Sequence, residues 1–398
     1  MTAFAQKTVL LGVCGSIAAY KACELASRLR EQGASVVCAL TGSAQKLVQA
    51  ATFEALTGNR AVTEMFSPFS APEVEHISLA RKADLFLVAP ATANMIAKAA
   101  HGIADDWIST TLLATRAPII FAPAMNTQMY THPATQSNLA LLRQRGVLIV
   151  EPASGRLACG EEGPGRLADI PDILDAARIA MTPVKDYAGK RVLITSGPNH
   201  EPIDPMRYIG NRSSGKMGYA LALEALCRGA EVCVISGPAL VSLPRGATVV
   251  KVSRAGEMYD AVMSRVADFD IIIGAAAVAD YRVECPLPAK IKRQDEPLSL
   301  RLLPNRDIIA AVAAAKRPEQ KVVGFAAESN DLIKHGEQKL LNKRLDMLVA
   351  NTIGGDQCAV GADKENAFIL VPGKPAEELV QIEKSALATL IFDRLAAI

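Results

Sequence analysis

Thr8-Val-Leu-Leu-Gly-Val-Cys-Gly-Ser16 decides the fold of this chain, because it is a short apolar run that ends in a glycine turn. Apolar residues with helical spacing follow it at Ala18, Ala19, Ala22, Leu25, Ala26 and Leu29. Gly33 ends the predicted helix, and a second apolar run covers residues 36–40. A strand, a turn, a helix and a strand in this order indicate two parallel strands joined by a helical crossover.

The same order recurs in the second half of the chain. It predicts a strand at 191–195, a helix at 216–228 and a strand at 231–235. Later segments of the two halves also have similar sequence patterns: 83–94 is similar to 269–280, 118–126 to 321–330, and 147–154 to 346–353. The sequence therefore predicts an α/β fold of two tandem Rossmann-like, doubly wound domains with mainly parallel sheets. A polar hinge with Pro and Gly at 182–189 sets the expected boundary, with domains at 1–189 and 190–398.

Composition narrows the class of protein. The 398 residues carry 43 Lys and Arg against 41 Asp and Glu, a net charge of +2, which argues against nucleic acid or an anionic membrane as a partner. The longest run without Asp, Glu, Lys or Arg, residues 117–142, contains several prolines and polar residues, so we expect no transmembrane helix. Eight cysteines without a C-x-x-C pair indicate reduced thiols and a cytoplasmic location.

Small polar residues cluster where the predicted strands of the first half end, which is where ligands bind in open α/β sheets. Gly15, Ser16 and Ile17 open a helix with exposed backbone N–H groups and a hydroxyl, which suits a phosphate. The turn lacks a full G-x-G-x-x-G, so a tight turn with a serine cap is an equal alternative there. Further residues of this kind are Thr41, Thr92, Asn94, Ser109 and Thr110. The set suits a mononucleotide better than a metal ion.

Several strings of the first half coincide with those of one family. They are Gly15-Ser-Ile-Ala-Ala-Tyr-Lys21, His76 in Val-Glu-His-Ile-Ser-Leu, Pro90-Ala-Thr-Ala-Asn94, Pro123-Ala-Met-Asn-Thr-Gln-Met129 and Pro152-Ala-Ser-Gly-Arg-Leu-Ala-Cys-Gly160. In this order they resemble the flavin-dependent cysteine decarboxylases. The resemblance implies FMN bound by the strand-end residues above, a catalytic His76, a contact of Asn126 with the substrate carboxylate, a proton donor in Cys159 on a mobile loop, and Met129 in the substrate pocket.

The chemistry of that family explains these residue types. FMN oxidises the thiol-bearing carbon of a cysteine amide to a thioaldehyde, carbon dioxide leaves, and the flavin reduces the remaining ene-thiol. The thiocarbonyl accepts the electron pair of decarboxylation, which explains a redox cofactor in a reaction without net oxidation. A thiol suits the final proton donation because its pKa lies close to neutral. Alone, His76 would be interpreted as a surface or capping residue and Cys159 as a small residue, but their joint occurrence with the other strings favours catalysis. Met95 stands where Thr is usual in the family.

Basic residues and a serine-rich turn mark the second half. Ser213, Ser214 and Gly215 lead into a helix and predict a phosphate cradle, to which Lys216 adds charge. This is not a Walker A loop, because Met follows the Lys. Lys290, Lys292 and Arg293 cluster on a loop, and Lys339 and Lys343 share one helix face. These lysines form either a solvated basic face or a site for a triphosphate with its magnesium.

A second set of strings decides between these interpretations. Glu201-Pro-Ile-Asp-Pro-Met-Arg207, Asn211-Arg-Ser-Ser-Gly-Lys-Met-Gly218, Ala275-Ala-Ala-Val-Ala-Asp-Tyr281, Lys290-Ile-Lys-Arg293 and Gly324-Phe-Ala-Ala-Glu328 follow in order. They resemble the bacterial, CTP-using phosphopantothenate–cysteine ligases. The resemblance implies CTP contacts at Gly274, Ala275, Ala276, Asp280, Lys290, Asn305, Arg306, Asp307, Ile308, Phe325, Lys339 and Lys343. Decarboxylase strings before ligase strings resemble the bifunctional enzymes of bacterial coenzyme A biosynthesis.

The resemblance implies two chemical steps in the second half. The carboxylate of 4'-phosphopantothenate attacks the α-phosphorus of CTP, giving an acyl-cytidylate and pyrophosphate, and the amine of L-cysteine then displaces CMP. Lys290 is implied in the first step and Asn211 in the second. Asn199 stands where Thr is usual, and Arg306 where Pro is usual. We expect Arg306 to free the local backbone and to bring a cation near the nucleotide.

Two other functions compete with this one. One half could serve as a regulatory or assembly module, but a module has no use for His76, Asn126 and Cys159 together. A nicotinamide oxidoreductase would need a full glycine fingerprint and an acid after the second strand, where Thr41 stands. The resemblance further implies a homo-oligomer, with trimers of the flavin half and dimers of the ligase half. The ligands of Mg²⁺ stay open.

Overall fold

The structure is a computed structural model that describes residues 3–66, 75–293, 295, 297–328, 332–352 and 361–398. The chain forms two compact units, Met1–Pro183 and Val184–Ile398. The sequence placed the boundary at 189/190, whereas Tyr187 packs within the second unit. The Tyr187 ring packs edge-on against the Phe392 ring, with 5.1 Å between the ring centres. Its hydroxyl donates a 2.6 Å hydrogen bond to the Phe392 carbonyl.

The first unit contains a five-stranded parallel sheet covered by helices, and a separate two-stranded hairpin. Its strands are β1 (Thr8–Val13), β2 (Ser35–Leu40), β3 (Leu85–Ala91), β4 (Ile119–Pro123), β5 (Leu148–Ile149), β6 (Ala153–Arg156) and β7 (Glu162–Arg166). Its helices are α1 (Lys21–Glu31), α2 (Ala50–Thr57), α3 (Glu75–Lys82), α4 (Ala93–His101), α5 (Trp107–Ala114), α6 (Thr127–Thr131), α7 (Pro133–Gln144) and α8 (Ile170–Met181), with 3₁₀ turns at Ile17–Tyr20 and Ala44–Lys46. The sheet order is β2-β1-β3-β4-β5, and β6 and β7 form a separate antiparallel hairpin.

Burial on both faces of the sheet explains the apolar run of β1. Val9 and Leu11 belong to the core under one helical layer, together with Leu25 of α1, whereas Leu10 packs on the other face with Ile108 of α5. Successive side chains of a strand point to opposite faces, so a strand covered on both sides is apolar throughout. Burying one such leucine contributes about 1.5–3 kcal/mol.

The second unit contains an eight-stranded mixed sheet and two short strand pairs. Its strands are β8 (Arg191–Ser196), β9 (Glu201–Pro202), β10 (Tyr208–Ile209), β11 (Glu231–Ser236), β12 (Thr248–Lys251), β13 (Ile271–Gly274), β14 (Tyr281–Val283), β15 (Leu302–Pro304), β16 (Lys321–Glu328), β17 (Met347–Thr352), β18 (Lys364–Leu370) and β19 (Glu377–Glu383). Its helices are α9 (Lys216–Cys227), α10 (Ala255–Met263), α11 (Ile308–Ala315), α12 (Leu332–Asn342) and α13 (Lys384–Ala396), with a 3₁₀ turn at Val266–Asp268. The sheet order is β12-β11-β8-β13-β16-β17-β18-β19, and β9–β10 and β14–β15 pair outside it.

The predicted fold class is confirmed. Both sheets are doubly wound, and the strands from β12 to β17 in the second sheet are all parallel. β18 and β19 join that sheet antiparallel and were not anticipated from the sequence. Within the described parts of the chain, none of the helices combines the length and the apolar character that a bilayer crossing requires. The strand-end loops of each sheet lie at one edge, where the cavities are found.

Candidate functional site

A cavity of about 540 Å³ lies at the carboxyl ends of β1, β3 and β4 in the first unit. We call it the first-unit cavity. Of the residues singled out from the sequence, those that line it are Gly15, Ser16, Ile17, Thr92, Asn126, Met129 and Cys159. They come from the segments that follow the three strands, including the 3₁₀ turn after β1 and helix α6 after β4, and from the β6–β7 hairpin. Its size falls within the ~300–1,000 Å³ of pockets that hold small ligands.

The turn after β1 forms one wall of this cavity. A Cβ atom at Gly15 would lie 2.4 Å from the Ser43 side chain, so only glycine permits this approach of two strand-end loops. Ser16 caps the following 3₁₀ turn by accepting a 3.4 Å hydrogen bond from the Ala18 backbone. The hydroxyl of Thr92 accepts from the Met95 backbone at the start of α4. The wall therefore offers small side chains and a helix N-terminus beside an apolar surface.

The β6–β7 hairpin forms the opposite wall. Gly165 in β7 has a φ of +142°, and a Cβ atom there would lie 2.3 Å from the Met125 carbonyl oxygen. The Gly165 carbonyl accepts a 3.0 Å hydrogen bond from the Met125 backbone, which fixes the hairpin against the loop after β4. This close packing carries the hairpin tip, with Cys159, over the cavity.

Asn126 and Cys159 come together across 33 positions of sequence. The Nδ2 atom of Asn126 lies 3.4 Å from the Cys159 Sγ atom and donates a 2.7 Å hydrogen bond to a Glu161 carboxylate oxygen. Its Oδ1 atom accepts from the Gln128 backbone and caps α6. Sequence reasoning missed Glu161, although it lies one residue beyond the string that contains Cys159. The amide of Asn126 is thus set to hold a carboxylate next to a thiol.

Cys14 and Cys159 differ in their exposure to solvent. Burial raises the pKa of the Cys14 thiol to about 12, so Cys14 is a packing residue in the sheet. Cys159 is exposed at the hairpin tip. Of these two thiols, therefore, only Cys159 is accessible to a ligand.

Other residues singled out from the sequence lie outside the lining of the first-unit cavity. Thr41 accepts a hydrogen bond from the Ala44 backbone, and Ser109 forms a reciprocal cap with Asp106 at the start of α5. Asn94 is exposed in the first turn of α4, and His76 is half-buried at the start of α3. The buried Oγ1 atom of Thr110 has no hydrogen-bond partner among the described residues.

The first-unit cavity fits a flavin. An apolar wall that includes Ile17 and Met125 suits an aromatic ring system, and the Gly15–Ser16 turn suits a phosphate. Lys21, Arg156 and Arg166, which sequence reasoning did not single out, add positive charge to the lining.

Two adjoining cavities lie at the carboxyl ends of the strands of the second unit. The large cavity has a volume of about 690 Å³ and the small cavity about 170 Å³. Predicted residues that line the large cavity are Asn211, Gly274, Ala276, Asp280, Asn305, Arg306, Asp307, Ile308, Phe325, Lys339 and Lys343. Those that line the small cavity are Ser213, Ser214, Gly215 and Ala275, together with Ala276 and Phe325, which both cavities share.

Hydrogen bonds tie the loops around the large cavity to one another. The Nδ2 atom of Asn211 donates a 2.8 Å hydrogen bond to the Val278 carbonyl. Asn305 donates from its side chain to the Ala279 carbonyl and from its backbone to the Asp280 carbonyl. Segments that are distant in sequence thus form a single rim.

Lys343 is already paired in the large cavity. Its ammonium lies 2.6 Å from a carboxylate oxygen of Asp307, which also caps α11 through the Ala310 backbone. Burial works against the charged form of Asp307, but these hydrogen bonds outweigh it and lower the pKa of the carboxyl group. Lys343 therefore brings both a cation and a fixed carboxylate to the cavity.

Arg306 differs from the expectation. It lines the large cavity, but its guanidinium carbon lies 3.7 Å from the centre of the Tyr259 ring, and the group forms a 2.8 Å ion pair with Asp260 on α10. The cation is thus engaged by a helix, where it tethers the loop. Asn199 is fully buried, with its Nδ2 atom 4.0 Å from the Met258 sulfur.

Lys290 lies on an exposed loop outside the linings of both cavities. This loop is fastened to Asp204, whose side chain is fully buried. Asp204 accepts hydrogen bonds from the Met206, Arg207 and Ile291 backbones and from the Arg207 guanidinium. Desolvation opposes the charge, but these donors outweigh it and lower the pKa of Asp204 to about 2. Asp204 therefore fixes the residue that follows Lys290.

Two family models match the chain. Residues 2–181 match the flavoprotein family, and residues 187–398 match the DNA/pantothenate metabolism flavoprotein C-terminal domain. Near full-length relatives combine both parts. The chain is 42% identical over 395 residues to the coenzyme A biosynthesis bifunctional protein CoaBC of Escherichia coli strain K12, covering 98% of this chain and 97% of that protein. It is 41% identical over 408 residues to the protein of that name from Mycolicibacterium smegmatis, covering 99% and 98%.

One solved structure is similar in sequence to part of this chain. The crystal structure of the C-terminal domain of a coenzyme A biosynthesis bifunctional protein CoaBC is 33% identical, covers 54% of this chain and 97% of that chain, and has a TM-score of 0.46. The identity and coverage of the two relatives, together with the match of the C-terminal model to more than half of the chain, establish the family. The chain belongs to the coenzyme A biosynthesis bifunctional proteins.

Proposed function

We propose that this protein makes 4'-phosphopantetheine in two stages. The second unit joins 4'-phosphopantothenate to L-cysteine with CTP, and the first unit decarboxylates the resulting 4'-phosphopantothenoylcysteine. The observation that carries the proposal is the meeting of Asn126 and Cys159 at one cavity, because an amide beside an accessible thiol suits carboxylate binding and proton donation. Membership of a bifunctional coenzyme A biosynthesis family supports both halves.

The first-unit cavity is proposed to bind FMN. Gly15, Ser16, Ile17 and Thr92 would hold it, and Thr41, Asn94, Ser109 and Thr110 would complete the surroundings. Bound FMN would supply the chemistry of a reversible two-electron acceptor. Asn126 would orient the substrate carboxylate through its Nδ2 atom, Met129 would contact the substrate, and Cys159 would donate a proton to carbon. The β6–β7 hairpin would exclude water from the cavity.

His76 is proposed to act across a subunit contact. It lies on α3, outside the lining of the cavity in its own chain, and the sequence resemblance implies a catalytic role for it. A trimer of the first unit would allow His76 of one copy to reach the cavity of another. Large apolar side chains such as Ile17 and Leu113 are exposed, at 67% and 60%, and would be covered in such a trimer. We propose dimers for the second unit, where Met206 and Tyr208 are similarly exposed.

The large cavity of the second unit is proposed to bind CTP. Its loops at 274–280 and 305–308 would contact the nucleoside, and Lys339 and Lys343 would face the phosphates, with Ser213, Ser214 and Gly215 as a phosphate cradle. The 4'-phosphopantothenate carboxylate attacks the α-phosphorus, and the bond from that phosphorus to the pyrophosphate oxygen breaks. Lys290 would neutralise the charge that develops, and Asn211 would stabilise the second step through its amide.

Mg²⁺ is proposed to enter with CTP. No group of three His, Cys, Asp or Glu side chains suited to a metal ion is present in the described ranges. Mg²⁺ in nucleotide sites is held largely by substrate phosphates and water, so a dedicated protein cage is not needed. We propose a cytoplasmic location, which the membership of the coenzyme A biosynthesis bifunctional proteins supports.

Product analysis tests the proposal. Purified protein is given 4'-phosphopantothenate, L-cysteine, CTP, Mg²⁺ and FMN, and products are resolved by mass with a parallel reaction that lacks CTP. Phosphopantetheine that forms only with CTP supports both activities. Accumulated phosphopantothenoylcysteine would refute the decarboxylase half, and no product at all would refute the ligase half. In the same assay, Lys290→Gln should suppress pyrophosphate release, and release at the wild-type rate would refute its role.

A further inference from the structure

The small cavity has properties that CTP binding does not explain. It lies at the N-terminus of the twelve-residue helix α9 and shares Ala276, Ala277 and Phe325 with the large cavity. Its volume of about 170 Å³ is below the ~300–1,000 Å³ of pockets that hold drug-sized ligands. The small cavity therefore suits a small molecule that must meet the occupant of the large cavity.

Glu365 brings a buried carboxylate to the small cavity. It lies on β18 with 2% of its surface exposed and is one of the lining residues. One oxygen, Oε2, lies 2.5 Å from the ammonium of Lys384, while Oε1 is buried and has no hydrogen-bond partner in the described part of the chain. A buried carboxylate oxygen without a donor is costly, so its presence points to a donor that a ligand supplies.

The start of α9, unlike the Glu365 carboxylate, favours a negatively charged group. The Ser213 and Ser214 hydroxyls accept hydrogen bonds from the backbones of Gly215 and Lys216, at 3.3 and 3.4 Å, which are long for such bonds. Helix N-termini favour anions because their first N–H groups point out of the helix. The small cavity thus combines a place for an anion with an unsatisfied acceptor for a cation.

An α-amino acid zwitterion matches this pair of groups. Its carboxylate suits the N-terminus of α9, and its ammonium supplies the donor that Oε1 of Glu365 lacks. A phosphate would also find cations in this lining, at Arg212, Lys216 and Lys384, but a fully ionised phosphate would leave Oε1 of Glu365 without a donor. The pyrophosphate has already left when the amine reacts, so the start of α9 can serve the triphosphate first and the amino acid afterwards.

We propose that the small cavity is the L-cysteine site of the ligase and that Glu365 accepts a proton from the cysteine α-ammonium. This inference rests on the proposed ligase function. Once one proton has passed to Glu365, the nitrogen lone pair forms the C–N bond at the acyl carbon. The bond from that carbon to the CMP oxygen breaks, the CMP phosphate keeps the electron pair, and the nitrogen releases its second proton to solvent water as the amide forms.

The Glu365→Gln variant tests the role of the carboxylate. Gln keeps the shape but cannot accept the proton, so we expect the KM for L-cysteine to rise at least tenfold and amide formation to require higher pH. Pyrophosphate release should stay at the wild-type rate, and hydroxylamine, which needs no amino-acid site, should still trap the acyl-cytidylate as hydroxamate. Unchanged cysteine kinetics would overturn the proposal. Absence of pyrophosphate release in wild-type protein would instead refute the ligase function itself.

Two further measurements separate this role from a structural one. Glu378→Gln, an exposed change on the neighbouring strand β19, is the matched control and should leave all rates unchanged. In wild-type protein, cysteamine lacks the carboxylate that α9 would bind, so its KM should exceed that of L-cysteine at least tenfold. Equal KM values for the two amines would overturn the proposed site even if Glu365→Gln failed to fold.

Discussion

The side-chain amide of Asn126 donates a 2.7 Å hydrogen bond to the carboxylate of Glu161, at the tip of the β6–β7 hairpin. The same nitrogen lies 3.4 Å from the sulfur of Cys159. If Asn126 binds the substrate carboxylate as proposed, Glu161 occupies the position of that carboxylate beside the thiol. The substrate would then displace Glu161, and this would couple entry of the substrate to the position of the hairpin tip.

Replacing Glu161 with Gln should make this displacement easier. A neutral amide accepts a weaker hydrogen bond than a carboxylate does, so the KM for 4'-phosphopantothenoylcysteine should fall several-fold while kcat changes little. Carbon dioxide release at varied substrate concentration measures both constants. Glu162→Gln, the exposed neighbour at the start of β7, is the control and should resemble wild type. A KM that is unchanged or higher for Glu161→Gln would contradict the competition.

Cys159→Ser should separate decarboxylation from the final protonation. A hydroxyl gives up its proton far less readily than a thiol, so carbon dioxide should be released while phosphopantetheine formation falls by about 10²-fold or more. An oxidised, decarboxylated species should accumulate and be detected by mass. Cys285→Ser removes an exposed thiol in the second unit and serves as control. Normal phosphopantetheine output would refute the donor role of Cys159.

Asn211→Asp should stop the ligase between its two steps. The amide of Asn211 donates to the Val278 carbonyl at 2.8 Å, which an ionised Asp cannot do. The new negative charge also opposes the charge that develops on the acyl oxygen, so amide formation should fall by about 10²-fold or more. One equivalent of pyrophosphate should still be released, and acyl-cytidylate should be recovered. Undiminished amide formation would count against the assignment.

Arg306 should act through its tether to α10. Arg306→Ala removes the contacts with Tyr259 and Asp260, so the 305–308 loop loosens and the KM for CTP should rise about three- to tenfold. Arg306→Pro should restore most of this loss, because a proline ring fixes the backbone without any side-chain contact. Arg301→Ala, which removes an exposed arginine, is the control. A KM for Arg306→Pro no lower than that for Arg306→Ala would disprove the tether.

Asp204 should make the free energy of unfolding depend on pH in the acid range. Its folded pKa of about 2 lies below the ~3.9 of an unfolded Asp, so its contribution is complete above pH ~4 and is lost as the pH falls through about 2. Asp204→Asn lacks this titration. The difference in urea midpoint between wild type and Asp204→Asn should therefore shrink between pH 4 and pH 2. A difference that stays constant across this interval would contradict the assigned pKa.

The linkage of Asp204 to the Lys290 loop illustrates where sequence reasoning stopped. The Asp204 string was recognisable as a family motif, but nothing local indicated that its carboxylate would bind the backbone of Ile291, 87 positions away. Glu161 and Glu365 were missed for the same reason, since each gains its meaning from a partner on another element. The sequence led us to expect the Arg306 guanidinium near the nucleotide. Only the structure showed that it packs on the ring of Tyr259 in α10 instead.

The sequence by itself determined the strand–helix–strand elements that open each half of the chain, and their order. Apolar periodicity and glycine turns predicted β1, α1 and β2 to within a few residues, because strand and helix formation depend on side chains close in the chain. The strand-end rule also located Gly15, Ser16 and Thr92 at one cavity, to which the family resemblance added Asn126. Only the tertiary structure decided how the β6–β7 hairpin folds back on Asn126, and which charges are already paired. Those outcomes depend on contacts between residues far apart in the chain, which local periodicity does not encode.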